Sequence, residues 1–109
     1  MSASERELLR LATGRWDIDN NQGQVSVIFE DNTLSGSINV LNHEGEIADI
    51  ERIDPRNGKL HLIVEGSYDE EGQDGLLMLK PDRRDRTYIE GEFGIGDDEI
   101  EFEATRRRR

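Results

Sequence analysis

Most of the residues in this chain that could take part in chemistry are carboxylates. The sequence has 25 Asp and Glu residues, two His residues and no Cys. Without Cys there is neither a disulfide framework nor a thiolate metal site. The remaining options are a hard cation such as Ca²⁺ held by oxygen ligands, or acid–base catalysis by a His beside a carboxylate.

Two acidic segments have partial calcium-site patterns. The segment 17–21 alternates oxygen ligands as a calcium loop does, but its glycine falls one place late, at Gly23, and Ile28 replaces the closing glutamate. A hairpin turn explains this segment better. The acidic segment 69–74 has the composition of a weak calcium site, which a solvated loop also explains. We therefore expect no metal and no cofactor.

The two histidines do not form a catalytic set by spacing. His43 falls in the predicted loop 42–45, and His61 lies between Leu60 and Leu62, so it faces outward if they face inward. No Ser lies in a nucleophile elbow, and no Ser–His–Asp arrangement is suggested. The sequence predicts that the protein is not an enzyme.

The charge balance argues against two classes of partner. The net charge is −11, which repels nucleic acid and anionic membranes. The arginine tail 106–109 and a second arginine group in 83–86 are basic, but no aromatic stacking platform accompanies them. No apolar run approaches the ~20 residues of a membrane span, and the N-terminus lacks the apolar stretch of a signal peptide. We expect no nucleic acid or membrane partner and a cytoplasmic location.

A short helix is predicted over residues 3–13. Ser4 can cap it with Glu7 three residues on, and Gly14 is suited to end it. The helix places one apolar face toward the rest of the chain, formed by Leu8, Leu11 and Ala12. We expect this face to cover one mouth of a barrel.

Residues 15–105 contain eight short runs of alternating apolar and polar residues, separated by turns such as 54–58 and 94–98. Short connections favour antiparallel neighbours, and eight such strands can close on themselves. The predicted fold is all-β: a single antiparallel up-and-down eight-stranded barrel with a short N-terminal helix. We expect one domain, 1–109, that ends in the basic tail 106–109.

The inward positions of this barrel are apolar and mostly bulky, which favours a packed core over a cavity. The predicted inward residues are Trp16, Ile18, Val25, Val27, Phe29, Leu34, Ile38, Val40, Ile50, Leu60, Leu62, Val64, Leu77, Leu79, Ile89, Phe93, Ile100, Phe102 and Ala104. Any internal ligand pocket would be lined by Val27, Phe29, Ile38, Leu62, Val64, Leu77, Phe93 and Phe102.

Four apolar residues fall on the opposite, outer face of the predicted strands. They are Ile28, Leu41, Ile63 and Met78. If they cluster, they form an exposed patch that could seat the helix, a second copy of the chain or a target protein. Both a monomer and a homodimer remain open.

Three motifs resemble those of the lipocalin-like, or calycin, barrels. They are Thr13–Trp16 after a short helix, Leu34–Ser37 in an early strand, and an arginine at the end of the last strand. The resemblance implies that Trp16, in the Gly14-Arg15-Trp16 motif, lies across the closed end with Arg106 over its ring. It also implies that Gly14, Trp16 and Arg106 have a structural role. In size the chain is similar to small barrel protease inhibitors, although it lacks the disulfide found in the bacterial metalloprotease inhibitors.

The expected function is therefore that of a non-enzymatic binding protein that acts through surface loops on a protein partner, as an inhibitor would. The alternative is a carrier that holds a small hydrophobic ligand in the barrel interior.

Overall fold

The eight strands of the chain close into one barrel. The computed structural model describes residues 1–41, 43–66 and 74–107. One α-helix among these residues, α1, precedes the barrel, so the predicted fold class is confirmed. The elements are α1 (Ala3–Ala12), β1 (Gly14–Ile18), β2 (Gly23–Glu30), β3 (Thr33–Val40), β4 (His43–Asp54), β5 (Lys59–Gly66), β6 (Asp74–Pro81), β7 (Tyr88–Ile95) and β8 (Asp98–Arg106).

Each strand pairs antiparallel with its sequence neighbours, and β1 pairs with β8 to close the ring. Trp16 is opposite Arg106, and Ile18 is opposite Ala104. We call the end that holds α1 and the β2–β3, β4–β5 and β6–β7 connections the helix end. The other end, which holds the β1–β2 and β7–β8 connections, is the far end.

The helix begins at Ala3 as predicted, but its N-cap lies two residues before the predicted one. Ser2, not Ser4, is the N-cap: its Oγ accepts the backbone N–H of Glu5 at 3.2 Å, and the Glu5 carboxylate accepts the N–H of Ser2 at 2.8 Å. The sequence holds two overlapping Ser-x-x-Glu boxes, and Ser2 has the extended backbone that a cap needs. This helix is too short to span a membrane, and no other helix in the described ranges is long or apolar enough.

The helix ends at Ala12, one residue before its predicted end, and Gly14 already belongs to β1. Its buried residues are Leu8, Leu9 and Ala12, whereas Leu11 is half-buried. Leu9 and Ala12 belong to the same core cluster as the barrel side chains. The helix therefore packs into the mouth of the barrel rather than on its outer face.

Two predicted boundaries are wrong because the hairpins are tighter than expected. His43 and Gly45, predicted in a loop, are in β4, and Ile95, predicted in a turn, is buried at the end of β7. A positive φ at Gly96 lets the chain reverse in two residues. Arg106 is the last residue of β8.

Strand β4 does not alternate regularly. Two irregularities interrupt its pairing with β5, so every third residue of β4 faces every second residue of β5. The facing pairs are Ile47 with Val64, Ile50 with Leu62, and Ile53 with Leu60. A strict two-residue period predicts only Ile50 of the three, which is why Ile47 and Ile53 are missing from the predicted core.

Aromatic rings fill the space that inward-facing glycines leave. Gly91 is directly opposite Phe102, and a Cβ at Gly91 would overlap the Phe102 ring. A Cβ at Gly75 would lie 2.7 Å from the ring of Phe93. The small residues of this barrel therefore make room for its own side chains rather than for a guest.

We expect Gly91→Ala to destabilise the barrel by about 1–3 kcal/mol, the usual cost of overpacking a core. The measurement is urea unfolding followed by tryptophan fluorescence. Gly94→Ala is the matched control on the same strand, because its Cβ would meet nothing closer than 3.8 Å. Equal stability of the two variants would contradict the ring-over-glycine packing.

Candidate functional site

The residues of the Gly14-Arg15-Trp16 motif lie at the helix end, where Trp16 is almost completely buried. The Arg106 guanidinium carbon lies 4.3 Å from the centre of the Trp16 ring. A cation over an indole face gains about 0.5–2 kcal/mol. The stacked pair joins the first strand to the last, because the two residues also face each other in the β1–β8 pairing.

The pair also satisfies the end of the helix. The last four carbonyls of a helix lack partners within the helix. The Trp16 Nε1–H donates to the Ala12 carbonyl at 2.9 Å, and Arg106 Nη2 donates to the Leu11 carbonyl at 3.2 Å. The Thr13 backbone N–H donates to the Leu9 carbonyl at 3.0 Å and to the Arg10 carbonyl at 3.2 Å. All four carbonyls therefore have a partner.

Arg106 connects two further segments at the helix end. Its Nη1 donates to the Thr13 carbonyl at 2.7 Å and its Nε to the Arg86 carbonyl, in the β6–β7 connection, at 2.9 Å. Partial burial lowers the pKa of Arg106 from its ordinary value, and the charge of Arg86 acts in the same direction. The pKa of an Arg side chain lies so far above neutral pH that the guanidinium stays charged. Arg106 therefore acts as a fixed cation and not as a proton donor.

Gly14 is needed where Arg106 crosses the start of β1. It has a φ of +145°, and a Cβ at this position would overlap the Arg106 guanidinium. The motif thus combines a backbone position that requires glycine with the Trp16 ring, on which the Arg106 guanidinium stacks. These contacts hold the helix, the first strand and the last strand together.

The predicted pocket residues lie together, but within one continuous core. Seven of the eight are buried, and Phe29 is half-buried beside its cross-strand neighbour Leu34. Three other residues predicted to face inward, Leu34, Ile50 and Ile100, are also only partly buried. Among the residues that the structure describes, none that is polar or charged is fully buried.

Among the described residues, the acidic segment 17–21 and the two histidines do not form a metal site. The segment 17–21 forms the end of β1 and a 3₁₀ turn, and Asp17 instead pairs with Arg107, with an N···O distance of 2.7 Å. Most of the segment 69–74 lies outside the described residues. Within the described ranges no group of three or more acidic or His side chains is arranged to hold a metal ion.

The histidines lie on neighbouring strands and have different surroundings. The Nε2 of His43 lies 4.0 Å from an Asp98 carboxylate oxygen, and its ring centre lies 6.0 Å from that of Phe93. His61 Nε2 lies 3.1 Å from Arg52 Nη2 on the outer face.

The outer face carries an apolar strip on β5 and β6, of which the sequence predicted Ile63 and Met78 but not Leu76. It consists of Ile63, Leu76 and Met78, and Leu76 is 53% exposed. Ile63 is directly opposite Leu76, and Met78 follows two residues along the same strand. Ile28 and Leu41, the other two apolar residues predicted on the outer face, lie on β2 and at the β3–β4 connection and are not part of the strip.

A glutamate ladder covers the outer face of β7 and β8. It consists of Glu90, Glu92, Glu99, Glu101 and Glu103. Glu90 is directly opposite Glu103 and Glu92 is directly opposite Glu101. Like charges in direct opposition are unfavourable, so this ladder costs the barrel some stability.

Two pKa shifts reflect this crowding. The pKa of Glu92 is raised, mainly because its side chain shares a hydrogen bond with Glu99. Partial burial and the charges of Glu99 and Glu101 act in the same direction. Hydrogen bonding to Glu103, together with partial burial and the charge of Glu90, raises the pKa of Tyr88. In each case the neighbouring carboxylates favour the form that carries less negative charge.

The charges are also separated along the barrel. Every described Lys and Arg lies at or near the helix end. Each is on α1, in a connection at that end, or within two residues of the point where a strand begins or ends at that end. The corresponding positions at the far end carry carboxylates and neither Lys nor Arg in the ranges that the structure describes. These carboxylates are Asp17, Asp19, Glu44, Glu65, Asp74, Asp97, Asp98 and Glu99. The far end is therefore the more negative part of an already acidic protein.

Comparison with models of known protein families, with curated proteins and with solved structures finds no match.

We expect Arg106→Ala to lower the free energy of unfolding by about 2–4 kcal/mol, because it removes the stacked cation and leaves the Leu11 and Thr13 carbonyls without their charged donor. Urea unfolding of the purified variant measures this loss. Arg107→Ala is the neighbouring control: its ion pair with Asp17 is exposed, so its removal should change the stability little. A loss for Arg106→Ala no larger than that for Arg107→Ala would contradict the closure role.

We expect Glu92→Gln to raise the melting temperature at pH 7, because it relieves the repulsion in the glutamate ladder, on the order of 0.2–1 kcal/mol. The native state binds a proton at Glu92 more tightly than the unfolded state does, so the wild type loses stability as the pH rises through the raised pKa. The gain from Glu92→Gln should therefore shrink between pH 7 and pH 5.

Calorimetric scans across that range provide the measurement, with Glu30→Gln as control because Glu30 faces Thr33 rather than a carboxylate. Below this range the opposite effect begins, because hydrogen bonds lower the pKa of Glu5, Asp54 and Asp85 and their contributions are lost in acid. An unchanged difference between Glu92→Gln and wild type from pH 7 to pH 5 would rule out the proposed coupling.

Proposed function

We propose that this protein is a non-enzymatic binding protein whose outer surface engages a protein partner. The observation that carries the proposal is the contrast between the interior and the outer face of the barrel. The interior is occupied by the protein's own apolar side chains. The outer face of β5 and β6 exposes the apolar strip among carboxylates, and contiguous exposed apolar surface is typical of interaction sites.

The polar groups of the chain also favour binding over catalysis. An active site usually brings a nucleophile, a base and an orienting group into one concave pocket. His43 lies near the Asp98 carboxylate at the far end, and His61 lies near the Arg52 guanidinium on the outer face, so the two imidazoles have different surroundings. A surface that recognises another protein needs no such convergence.

A carrier of a small hydrophobic ligand is the second candidate, and one specific observation favours it. The pairing of β3 with β4 covers only Ser37–Val40 and His43–Glu46. Beyond these pairs, toward the helix end, half-buried apolar residues on β2, β3 and β4 pack against the core: Phe29, Leu34, Ile50 and Ile53. An apolar ligand could approach the core between these two strands.

Membership of the lipocalin-like group is part of the same proposal. It is supported by the order of a short helix, Gly14-Arg15-Trp16 and a terminal arginine that stacks on the tryptophan. Inhibition of a protease is one form that binding to a protein partner would take in a barrel of this size.

The two candidate functions predict opposite results with an apolar fluorescent probe and with immobilised protein. We expect no saturable probe fluorescence with the folded barrel, because packed side chains leave no interior volume for the probe. We expect the immobilised protein to enrich one or more proteins from native lysate, identified by mass spectrometry. An unrelated acidic protein of similar size and charge on the same resin is the control for non-specific charge effects.

Two results together would favour the carrier and overturn the surface-binding proposal. One is saturable probe uptake that Phe29→Ala or Leu34→Ala changes, and the other is the absence of any protein enriched over the control resin.

A further inference from the structure

We propose that the apolar strip is the docking surface for a helical segment of a partner protein that carries apolar side chains on one face and Lys or Arg beside them. This inference rests on the proposed function and specifies its surface and the chemistry of its partner.

The strip is a continuous feature of two paired strands. Ile63 and Leu76 are cross-strand neighbours, and Met78 lies diagonally from Ile63. On the β7 side Leu76 is opposite Gly94, which has no side chain to cover it. The leucine is therefore exposed on that flank, and the strip forms the centre of a larger outer face.

Carboxylates border this centre on three sides. The cross-strand pairing places Glu46, Glu65 and Asp74 in one row at its far-end side. Asp49 faces Ile63 from β4. On the β7–β8 side the border is formed by Glu92, Glu99 and Glu101.

The fourth side has a different character. Arg52 is opposite His61, which is opposite Met78, and the two polar side chains lie within hydrogen-bond distance of each other. A groove of about 600 Å³ over the outer face of β3, β4 and β5 begins beside the strip and shares Glu46 and Glu65 with its border. The docking surface therefore continues toward β3 with the same acidic lining.

An apolar centre with an acidic border is complementary to an apolar centre with a basic border. A second copy of this chain does not offer that match through the same surface, because it would bring seven carboxylates of one border against the same seven of the other. The net charge of −11 adds to that repulsion. The observations therefore favour a basic partner over self-association.

The form of the segment follows from the closed barrel. Over the residues of the strip, β5 is paired with β4 and β6, and β6 is paired with β5 and β7. These strands have no free edge here to which an extended peptide could add. An occupant must lie across the face, as an amphipathic helix does with its i, i+3, i+4 and i+7 side chains.

The barrel's own helix does not cover the strip. Its apolar residues Leu9 and Ala12 are in the core at the helix end. Leu76 therefore remains exposed although α1 is packed in the mouth of the barrel.

The test uses a fluorescein-labelled synthetic peptide of about 18 residues, five helical turns, with Leu on one face and Lys on the other. We expect it to bind the full-length protein in fluorescence anisotropy, more weakly at high salt. Leu76→Ser should weaken binding about tenfold, and Met78→Gln should weaken it in the same direction. Ile28→Ser is the matched control, because Ile28 is also an exposed apolar strand residue, 43% exposed, on β2.

Equal affinity of Leu76→Ser and Ile28→Ser, or equal binding of a peptide with Glu in place of Lys, would overturn the inference. A concentration-dependent dimer in sedimentation velocity that Leu76→Ser abolishes would assign the strip to a second copy and overturn it as well. Circular dichroism verifies that the variants are folded.

Failure of the inference differs from failure of the proposed function. If lysate proteins are still enriched, and equally by wild type and Leu76→Ser, another surface binds the partner and only the strip is excluded. If enrichment is absent and the interior takes up the apolar probe, the proposed function itself is excluded.

Discussion

The contact between the Arg106 guanidinium and the Trp16 ring is the interaction on which the rest of the structure depends. It lies where the first strand, the last strand, the helix and the β6–β7 connection meet. Arg106 and Trp16 donate hydrogen bonds to the last helical carbonyls, so the helix can end directly in the mouth of the barrel. An eight-stranded barrel without such a lid would expose the ends of its core to water.

The sealed end determines where function can lie. With the helix in one mouth and rings packed over Gly75 and Gly91, the apolar side chains are committed to the core. Distinctive chemistry is then found on the outer face, where the apolar strip adjoins the glutamate ladder. The cost of placing Glu92 opposite Glu101 has no structural benefit in the contacts described. It is consistent with a surface that meets positive charge in a partner.

Much of the fold could be predicted from the sequence, because alternation works wherever a strand is regular. Leu60, Leu62 and Val64 on β5 were identified in this way, and all three are buried. Alternation does not hold on β4, where two irregularities in the pairing with β5 change the spacing of the inward-facing residues from two to three. It also misplaced the helix cap, because two overlapping Ser-x-x-Glu boxes satisfy the same local rule.

The stacked closure could be predicted by resemblance, but the apolar strip only in part, because Ile63 and Met78 were predicted on the outer face and Leu76 was not. Which outward residues meet depends on strand register, and register is a property of pairs of strands. Ile63 and Leu76 are separated by a long stretch of sequence and meet only because β5 and β6 pair as they do. Ile28 has a similar local pattern and lies on β2, well removed in strand order.

The most direct test of the central claim is a double-mutant cycle between Trp16→Phe and Arg106→Lys, measured by urea unfolding. If the ring and the guanidinium stabilise the closed end together, the effects of the two substitutions will not add. The account predicts a coupling energy of about 1 kcal/mol or more, as expected for residues in direct contact. Additive effects, with a coupling within about 0.3 kcal/mol of zero, would contradict it.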